Sequence, residues 1–226
     1  MEPVVLSLGG SVLITDGDDV AYIRDLSKML VEVSESRKVM VVTGGGRIAR
    51  HYIRSARELG ASEDVLDEMG IAVTRLNARL LALALGDRAS QTIPEDYDEA
   101  VSAAGSHSVV VMGGVAPGIT TDAVSATLAE RAGARLLVNA TSVDGAYTSD
   151  PRKDSAAKRI PEMSHEALVK LVAGTPAGAG PNVVFDPTGA RVAERSNITL
   201  AIVDGRRLEN LRSALLGQDF DGTTVH

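Results

Sequence analysis

Short, continuous apolar runs alternate along the chain with longer stretches in which apolar residues recur every three or four positions. The continuous runs are typical of buried strands, and the periodic stretches are typical of amphipathic helices. Strands are predicted at 4–8, 39–43, 88–93, 108–112, 135–139, 197–203 and 222–225. Because strands and helices alternate almost throughout, the sequence predicts an α/β fold with a largely parallel central sheet and helices on both faces.

The helices between these strands include 71–85, 95–104, 122–132 and 206–216. Glycines are placed to end several of them, and Asp186 followed by Pro187 is a strong helix start. Two sets of apolar residues are expected to face the core: Ile48, Tyr52, Ala56 and Leu59 after the second strand, and Ile71, Leu76, Leu80 and Leu83 in the next helix. Residues 173–181 show no periodic pattern.

Three of the predicted strands run directly into glycine clusters, at Gly9–Gly10, Gly44–Gly46 and Gly113–Gly114. The carboxyl ends of parallel strands share one edge of a sheet, which is where such sheets bind ligands. Bare backbone N–H groups at that edge suit phosphate oxygens. One such cluster is explained equally well by a tight turn. Three at corresponding places favour a site for several phosphates, and hence a phosphoryl-transfer enzyme.

The spacing of the glycines argues against the commoner phosphate motifs. The chain contains neither G-x-x-x-x-G-K-[ST] nor a G-x-G-x-x-G that opens a βαβ unit. A P-loop nucleoside triphosphatase and a dinucleotide enzyme are therefore poor fits.

Two polar loops follow later strands. In the first, Gly113 to Ala123, hydroxyl groups lead into a helix for which Thr121 or Asp122 is the expected N-cap. Free hydroxyl and N–H groups there could also enclose a small polar ligand. The second loop, 139–151, contains Tyr147, which could stack on a base or pack against the protein. Long polar loops after strands usually carry function.

Composition narrows the classes of partner. With 23 basic and 30 acidic residues the net charge is −7, which disfavours a nucleic-acid partner. The absence of cysteine excludes disulfides and thiolate metal sites. Met1-Glu2-Pro3 does not resemble the basic start of a signal peptide, and no apolar run approaches the roughly 20 residues of a membrane span. A cytoplasmic protein is expected.

Four motifs in order resemble the amino acid kinase family, most nearly its archaeal UMP kinase branch. They are L-G-G-S, T-G-G-G-R-I-A-R, G-G-x-x-P-G-x-T-T-D-A and V-D-G-x-Y-T-x-D-P, and the resemblance covers essentially the whole chain. It implies a three-layer αβα sandwich as one domain over 1–226, with the N-terminal part binding mainly UMP and the C-terminal part mainly ATP. It also implies a homo-hexamer, ATP with Mg²⁺, and production of UDP in pyrimidine biosynthesis.

The resemblance assigns roles to particular residues. ATP would be bound by Leu8, Gly9, Gly10, Ser11, Gly45, Arg50, Thr141, Ser142, Tyr147 and Asp150, with Arg50 stabilising the phosphate charge. UMP would be bound by Gly44, Asp67, Val115, Ala116, Pro117, Gly118, Ile119, Thr120 and Thr121. No protein side chain is assigned to a metal. Taken alone, Asp67 would be interpreted as a solvated position on a helix.

The chain departs from the bacterial members of that family at two positions. Those members carry a lysine in the first strand and another before V-D-G, where this chain has Ser7 and Ser142. Phosphoryl transfer needs cations around the migrating charge. Without the two lysines, Arg50 and Mg²⁺ would have to supply more of the positive charge. Arg47, Lys153 and Lys158 are further candidates for supplying it.

Several alternatives stay open. Another kinase of this fold could act on acetylglutamate or carbamate, although the missing lysines and the T-T-D-A loop count against it. Isopentenyl phosphate kinases typically have histidine before the second glycine cluster, where this chain has Thr43. A non-catalytic nucleotide or oxyanion storage protein, or a regulatory subunit, would also account for lost lysines.

Overall fold

A central sheet organises the molecule, as seen in a computed structural model that describes residues 1–15, 19–149, 154, 156–173 and 184–226. The strands are β1 Pro3–Leu8, β2 Lys38–Thr43, β3 Val109–Met112, β4 Leu136–Thr141, β5 Ala146–Tyr147, β6 Arg159–Ile160, β7 Glu162–Met163, β8 Thr199–Asp204 and β9 Thr223–Val225. The strand order in the central sheet is β3-β2-β1-β4-β8-β9-β7. The first five strands in this order are parallel, with Val5 paired to Met40 on one side and to Leu137 on the other. β9 is antiparallel to β8 and parallel to β7.

Helices cover both faces of this sheet, which confirms the predicted αβα sandwich. β5 and β6 form a separate antiparallel pair. The helices are α1 Gly10–Leu13, α2 Asp19–Val33, α3 Gly46–Glu58, α4 Glu63–Leu85, α5 Tyr97–Ala103, α6 Thr121–Ala132, α7 His165–Val172, α8 Pro187–Arg195 and α9 Leu208–Leu216.

The core lies in two apolar layers, one on each side of the sheet. Alternate residues of β1 point to opposite faces. Leu6 joins the layer formed with α2, α4 and α9, and Val5 joins the layer formed with α6, α7 and α8. Both side chains are fully buried. Full burial of one such side chain contributes about 1.5–3 kcal/mol to folding, so these layers hold the carboxyl ends of the strands in fixed relative positions.

The strand predicted at 88–93 is wrong. The chain forms a 3₁₀ turn at Gly86–Arg88 and then meets the sheet through a single bridge between Ala89 and Val109. Gln91 explains the difference, because its Nε2 donates hydrogen bonds to the carbonyl groups of Ala82 and Gly86 at 3.1 and 3.0 Å. These bonds fold the segment back onto the end of α4 instead of extending it along β3.

The inward face predicted for α4 is also wrong. Leu76 and Leu83 are each 65% exposed, Leu80 is exposed and Ile71 is half-buried. The face that packs against the core carries Leu66, Val73, Thr74, Asn77, Ala78, Leu81, Ala82 and Leu85. The helix has apolar residues on both faces, so their periodicity alone does not show which face is buried. For the same reason the segment Glu63–Arg88 is long and apolar enough, by length and composition, to cross a membrane.

A similar correction applies to α3. Only Ala56 of its four predicted inward residues is buried, together with Ala49. Ile48 and Tyr52 are exposed, and Leu59 follows the helix with 88% of its surface exposed. The two buried residues of α3 are alanines, which a search for large apolar side chains does not detect.

Candidate active site

The glycine turns after β1 and β2 pack directly against each other. The Gly44 N–H donates to the Leu8 carbonyl at 2.8 Å. A Cβ added at Gly10 would lie 2.3 Å from the Gly46 nitrogen, and Gly46 itself has φ +59°. Close approach of the two loops therefore requires glycine at both positions, independently of any ligand.

This packing leaves backbone donors at the sheet edge. In the part of the chain that the structure describes, the N–H groups of Gly10, Ser11, Gly45 and Gly46 donate to no carbonyl or side chain. Gly46 begins α3, so the positive end of that helix dipole lies at the same place. The arrangement suits phosphate oxygens.

Arg50 lies one turn into α3 and reaches across to the first turn. Its Nη2 donates to Ser11 Oγ at 3.0 Å. The contact places a guanidinium beside the free N–H groups, where it can balance phosphate charge. The structure therefore brings together the glycines predicted from the sequence and the predicted arginine.

Helix α4 binds both the second and the third glycine turn. Asn77 Nδ2 donates to the Gly44 carbonyl at 2.8 Å, and Thr74 Oγ1 accepts from the Gly114 N–H at 2.7 Å. Arg75 Nε donates to the Gly114 carbonyl at 3.2 Å. The sequence interpretation missed these three side chains. The sequence feature that could have indicated them is the presence of polar residues on the helix face that packs against the sheet.

Asp67, near the start of α4, contacts the loop predicted to enclose the acceptor. Its Oδ2 accepts from the Gly118 N–H at 2.6 Å, and Gly118 has φ +77°. Asp67 is therefore not an isolated solvated position on the helix. The structure joins it to the 115–121 loop, two features that lie far apart in sequence.

The N-cap of α6 is Thr120, and not Thr121 or Asp122 as expected. Thr120 has extended backbone, and its Oγ1 accepts from the Ala123 N–H at 3.2 Å. Thr121 is the first helical residue. The shift by one residue releases Asp122 from capping.

Asp122 instead points back to the sheet, where Ser7 Oγ donates to its Oδ1 at 2.9 Å. Burial raises the pKa of Asp122 to about 6, the Ser7 hydrogen bond opposes that shift, and the Asp186 carboxylate adds to it. Asp186 is buried and caps α8 through the N–H groups of Thr188 and Gly189. Sequence interpretation did not place Asp122 in the site.

The residues predicted to bind adenosine lie after β4, among ion pairs. The Tyr147 hydroxyl donates to Asp144 Oδ1 at 2.8 Å, and Arg159 pairs with Asp144 Oδ2 at 3.2 Å. Arg206 donates to the Ser142 carbonyl at 3.2 Å. Thr141 accepts from the Gly205 N–H at 2.9 Å. Tyr147 is thus held in one orientation.

Two residues predicted to contribute to the site, and one segment without a periodic pattern, are not described by the structure. Asp150, Lys153 and residues 174–181 lie outside the described residues. Lys158 is a described residue, and its backbone N–H donates to Thr148 Oγ1 at 3.0 Å beside the β5–β6 pair. Among the described residues, no group of three or more His, Asp or Glu side chains could hold a metal ion.

A cleft of about 940 Å³ runs between α3 and α4, next to the glycine turns. Its charged lining is Arg47, Arg50, Arg54 and Arg57 from α3, against Glu63, which pairs with Arg57, and Asp67 from α4. A basic cleft in a protein of net charge −7 favours an anionic ligand.

Known proteins resemble this chain in sequence and in fold. The model of the amino acid kinase family matches residues 2–204. The uridylate kinase of Methanoculleus marisnigri is 47% identical over 225 residues, covering 100% of this chain and 96% of that protein. The uridylate kinase of Methanothrix thermoacetophila is also 47% identical, covering 98% of each chain. The crystal structure of uridylate kinase from Archaeoglobus fulgidus superimposes with a TM-score of 0.90 at 44% identity, covering 99% of this chain and all of that one.

Proposed function

Because the chain belongs to the amino acid kinase family, we propose that it transfers the γ-phosphoryl group of ATP to UMP, giving UDP and ADP. The observation that carries this proposal is the set of free N–H groups on two interlocked glycine turns, with Arg50 beside them. The full-length similarity to uridylate kinases supports UMP as the acceptor.

The reaction needs positioning and charge stabilisation more than acid–base chemistry. A nucleoside monophosphate has a second pKa near 6, so its phosphate is largely a dianion at neutral pH and can attack without a general base. The N–H groups of Gly10, Ser11, Gly45 and Gly46 would bind the phosphate oxygens. Arg50 would neutralise charge that spreads over the transferred group.

Magnesium would accompany ATP. Mg²⁺ is usually held by one or two carboxylates together with substrate phosphates, so the lack of a three-carboxylate group among the described residues fits this role. Asp122 is the carboxylate that would hold the Mg²⁺ ion. It accepts a hydrogen bond from Ser7, which lies two residues before the first glycine turn. When bound, the ion supplies positive charge to the phosphates.

The acceptor would occupy the cleft between α3 and α4, with the loop 115–121 beside it at Asp67. Gly44 would contact the UMP phosphate. Asp67 holds Gly118 through Oδ2 only, and its Oδ1 has no hydrogen-bond partner within the described ranges. The free oxygen would accept hydrogen bonds from the ribose hydroxyls, so one carboxylate would bind both loop and ligand. Val115 to Thr121 would enclose the uracil and phosphate.

The donor nucleotide would lie on the other half of the single domain 1–226. Thr141, Ser142, Tyr147 and Asp150 would contact its adenosine, and the turn from Leu8 to Ser11 its phosphates. The fixed orientation of Tyr147, through its bond to Asp144, supports a stacking role.

We extend the proposal to assembly and setting: a homo-hexamer in the cytoplasm that serves pyrimidine nucleotide biosynthesis. The exposed leucines of α4, with Leu76 and Leu83 each 65% exposed, support self-association through that helix. Light scattering on the purified protein tests the assembly.

Phosphorus NMR tests the reaction directly. A mixture of the protein, Mg²⁺, ATP and UMP should develop the paired signals of UDP while the γ-signal of ATP disappears. Loss of the γ-signal with release of inorganic phosphate only, or no change in the spectrum, would contradict the proposal.

A further inference from the structure

Arg75 connects two separate segments at the edge of the acceptor loop. Its Nε donates to the Gly114 carbonyl at 3.2 Å, its Nη1 to Glu95 Oε2 at 2.6 Å and its Nη2 to the Glu95 carbonyl at 3.4 Å. The neighbouring Thr74 holds the Gly114 N–H at 2.7 Å. Both polar backbone groups of Gly114 are therefore bound by consecutive residues of α4.

Gly114 immediately precedes the 115–121 loop, so this clamp fixes where the loop begins. Asp67 holds the middle of the loop at Gly118, and the Thr120 cap holds its end. The side chains of Asp67 and Thr74 each bind one segment outside α4. The Arg75 side chain differs because it binds two such segments, at Gly114 and at Glu95. The Glu95 N–H is in turn held by Glu99 of α5 at 2.8 Å. The start of the loop is thus tied to two helices.

We propose that Arg75 is a positioning residue for the phosphoryl acceptor, which presets the 115–121 loop by holding Gly114 against Glu95. This inference rests on the function proposed above. A loop already in its bound shape loses less conformational freedom when the nucleotide binds, so the benefit appears as affinity. The groups that would bind ATP lie at or after the ends of β1, β2 and β4, and none of the hydrogen bonds of Arg75 is with them.

A purely structural role would give a different result. The Arg75 side chain is 27% exposed and that of Glu95 is 67% exposed, and ion pairs with such access to water contribute little to stability. If the pair served folding alone, its loss would lower the melting temperature and leave the ratio of the two nucleotide affinities unchanged.

The test compares Arg75→Met, Arg75→Lys and the control Arg79→Met in steady-state kinetics. Arg79 is exposed one turn further along α4 and makes no hydrogen bond or ion pair with any described residue. Arg75→Met, which removes all three hydrogen bonds, should raise KM for UMP about tenfold, the equivalent of one or two net hydrogen bonds. Its kcat and its KM for ATP should stay within about twofold. Arg75→Lys can reach one partner but not both, and should fall between wild type and Arg75→Met.

Calorimetric titration with UMP separates this inference from the proposed reaction. Wild-type protein that binds UMP without phosphorylating it would contradict the reaction alone. An Arg75→Met protein that binds UMP as tightly as wild type, or that loses UMP and ATP affinity equally, would overturn the positioning role. Wild-type protein that does not bind UMP would contradict both.

Discussion

Ser7 Oγ donates a 2.9 Å hydrogen bond to Asp122 Oδ1, which joins β1 to the first turn of α6 beneath the glycine turns. Ser7 is 3% exposed. A neutral hydroxyl is thus the hydrogen-bond donor to a carboxylate whose pKa is raised to about 6, mainly by burial. Ser7 stands where bacterial members of the family are expected to carry a lysine, so in this chain a neutral donor, and not a cation, faces Asp122.

The raised pKa makes Asp122 a source of pH-dependent stability. The native state holds this proton up to about pH 6, whereas an unfolded aspartate releases it near pH 4. The stabilising contribution is therefore complete below pH 4 and is lost as pH rises through 6. Asp122→Asn, which stays neutral, should be more stable than wild type by about 1–3 kcal/mol at pH 7 and lose that advantage near pH 4. Urea denaturation at several pH values measures this difference.

Asp98→Asn is the matched control for that experiment. Asp98 pairs with Arg131 at 3.0 Å, and its side chain is 87% exposed. Its substitution should change stability by less than about 0.5 kcal/mol at any pH. A constant difference between Asp122→Asn and wild type from pH 4 to 8 would show that Asp122 does not titrate as described.

Arg50→Ala should lower kcat by about 10²–10³, because a positioned charge that acts on the transition state is removed. The side chain is exposed, so the free energy of unfolding should change by less than about 0.5 kcal/mol. Stopped-time assays and urea denaturation on one preparation give both values. Arg24→Ala, at an exposed position on α2, is the control. A kcat within twofold of wild type would remove Arg50 from the mechanism.

Thr74→Val should destabilise the protein by about 1–3 kcal/mol, since the buried Gly114 N–H loses its acceptor. Valine keeps the shape of threonine, so the effect isolates the hydroxyl. Thr74→Ser retains the hydroxyl and should lose less than the valine variant. If serine proves the more damaging of the two, packing and not the hydrogen bond holds this turn.

Two glycines test which close approaches matter. At Gly10 a Cβ would lie 2.3 Å from a backbone nitrogen and 2.4 Å from a backbone oxygen, so Gly10→Ala should abolish folding or activity. At Gly70, in the middle of α4, a Cβ would meet only the end of Ile53 at 3.4 Å. Gly70→Ala should raise the free energy of unfolding by up to about 1 kcal/mol through helix propensity. A well-folded, active Gly10→Ala protein would contradict the packing of the two turns.

The strands and the glycine turns could be predicted because each is a local pattern. Runs such as 4–8 are buried on both faces of the sheet and show as continuous apolar residues. The position of the turns follows from parallel pairing, since strand ends then share one edge. The helix faces were harder: α4 is apolar on both sides, and only the sheet beneath it decides that Leu81 is buried and Leu80 exposed.

The support of the site could not be predicted, because it depends on side chains that bind distant backbone groups. Asn77 meets the Gly44 carbonyl 33 positions away, and Arg75 meets Gly114 39 positions away. Neither contact leaves a local motif. Asp67 was assigned through family resemblance, and its bond to Gly118 gives the physical reason for it to lie at this loop.

ADP release from Mg-ATP with a panel of acceptors would show whether the protein is a UMP kinase. UMP, CMP, dTMP, AMP, acetylglutamate, carbamate and isopentenyl phosphate would be compared by kcat/KM. Turnover should be highest with UMP and fall by orders of magnitude with AMP and the three non-nucleotides. Preferred turnover of one of those three, or ATP binding with no turnover of any acceptor, would contradict the account and identify a different kinase or a non-catalytic nucleotide-binding protein of this fold.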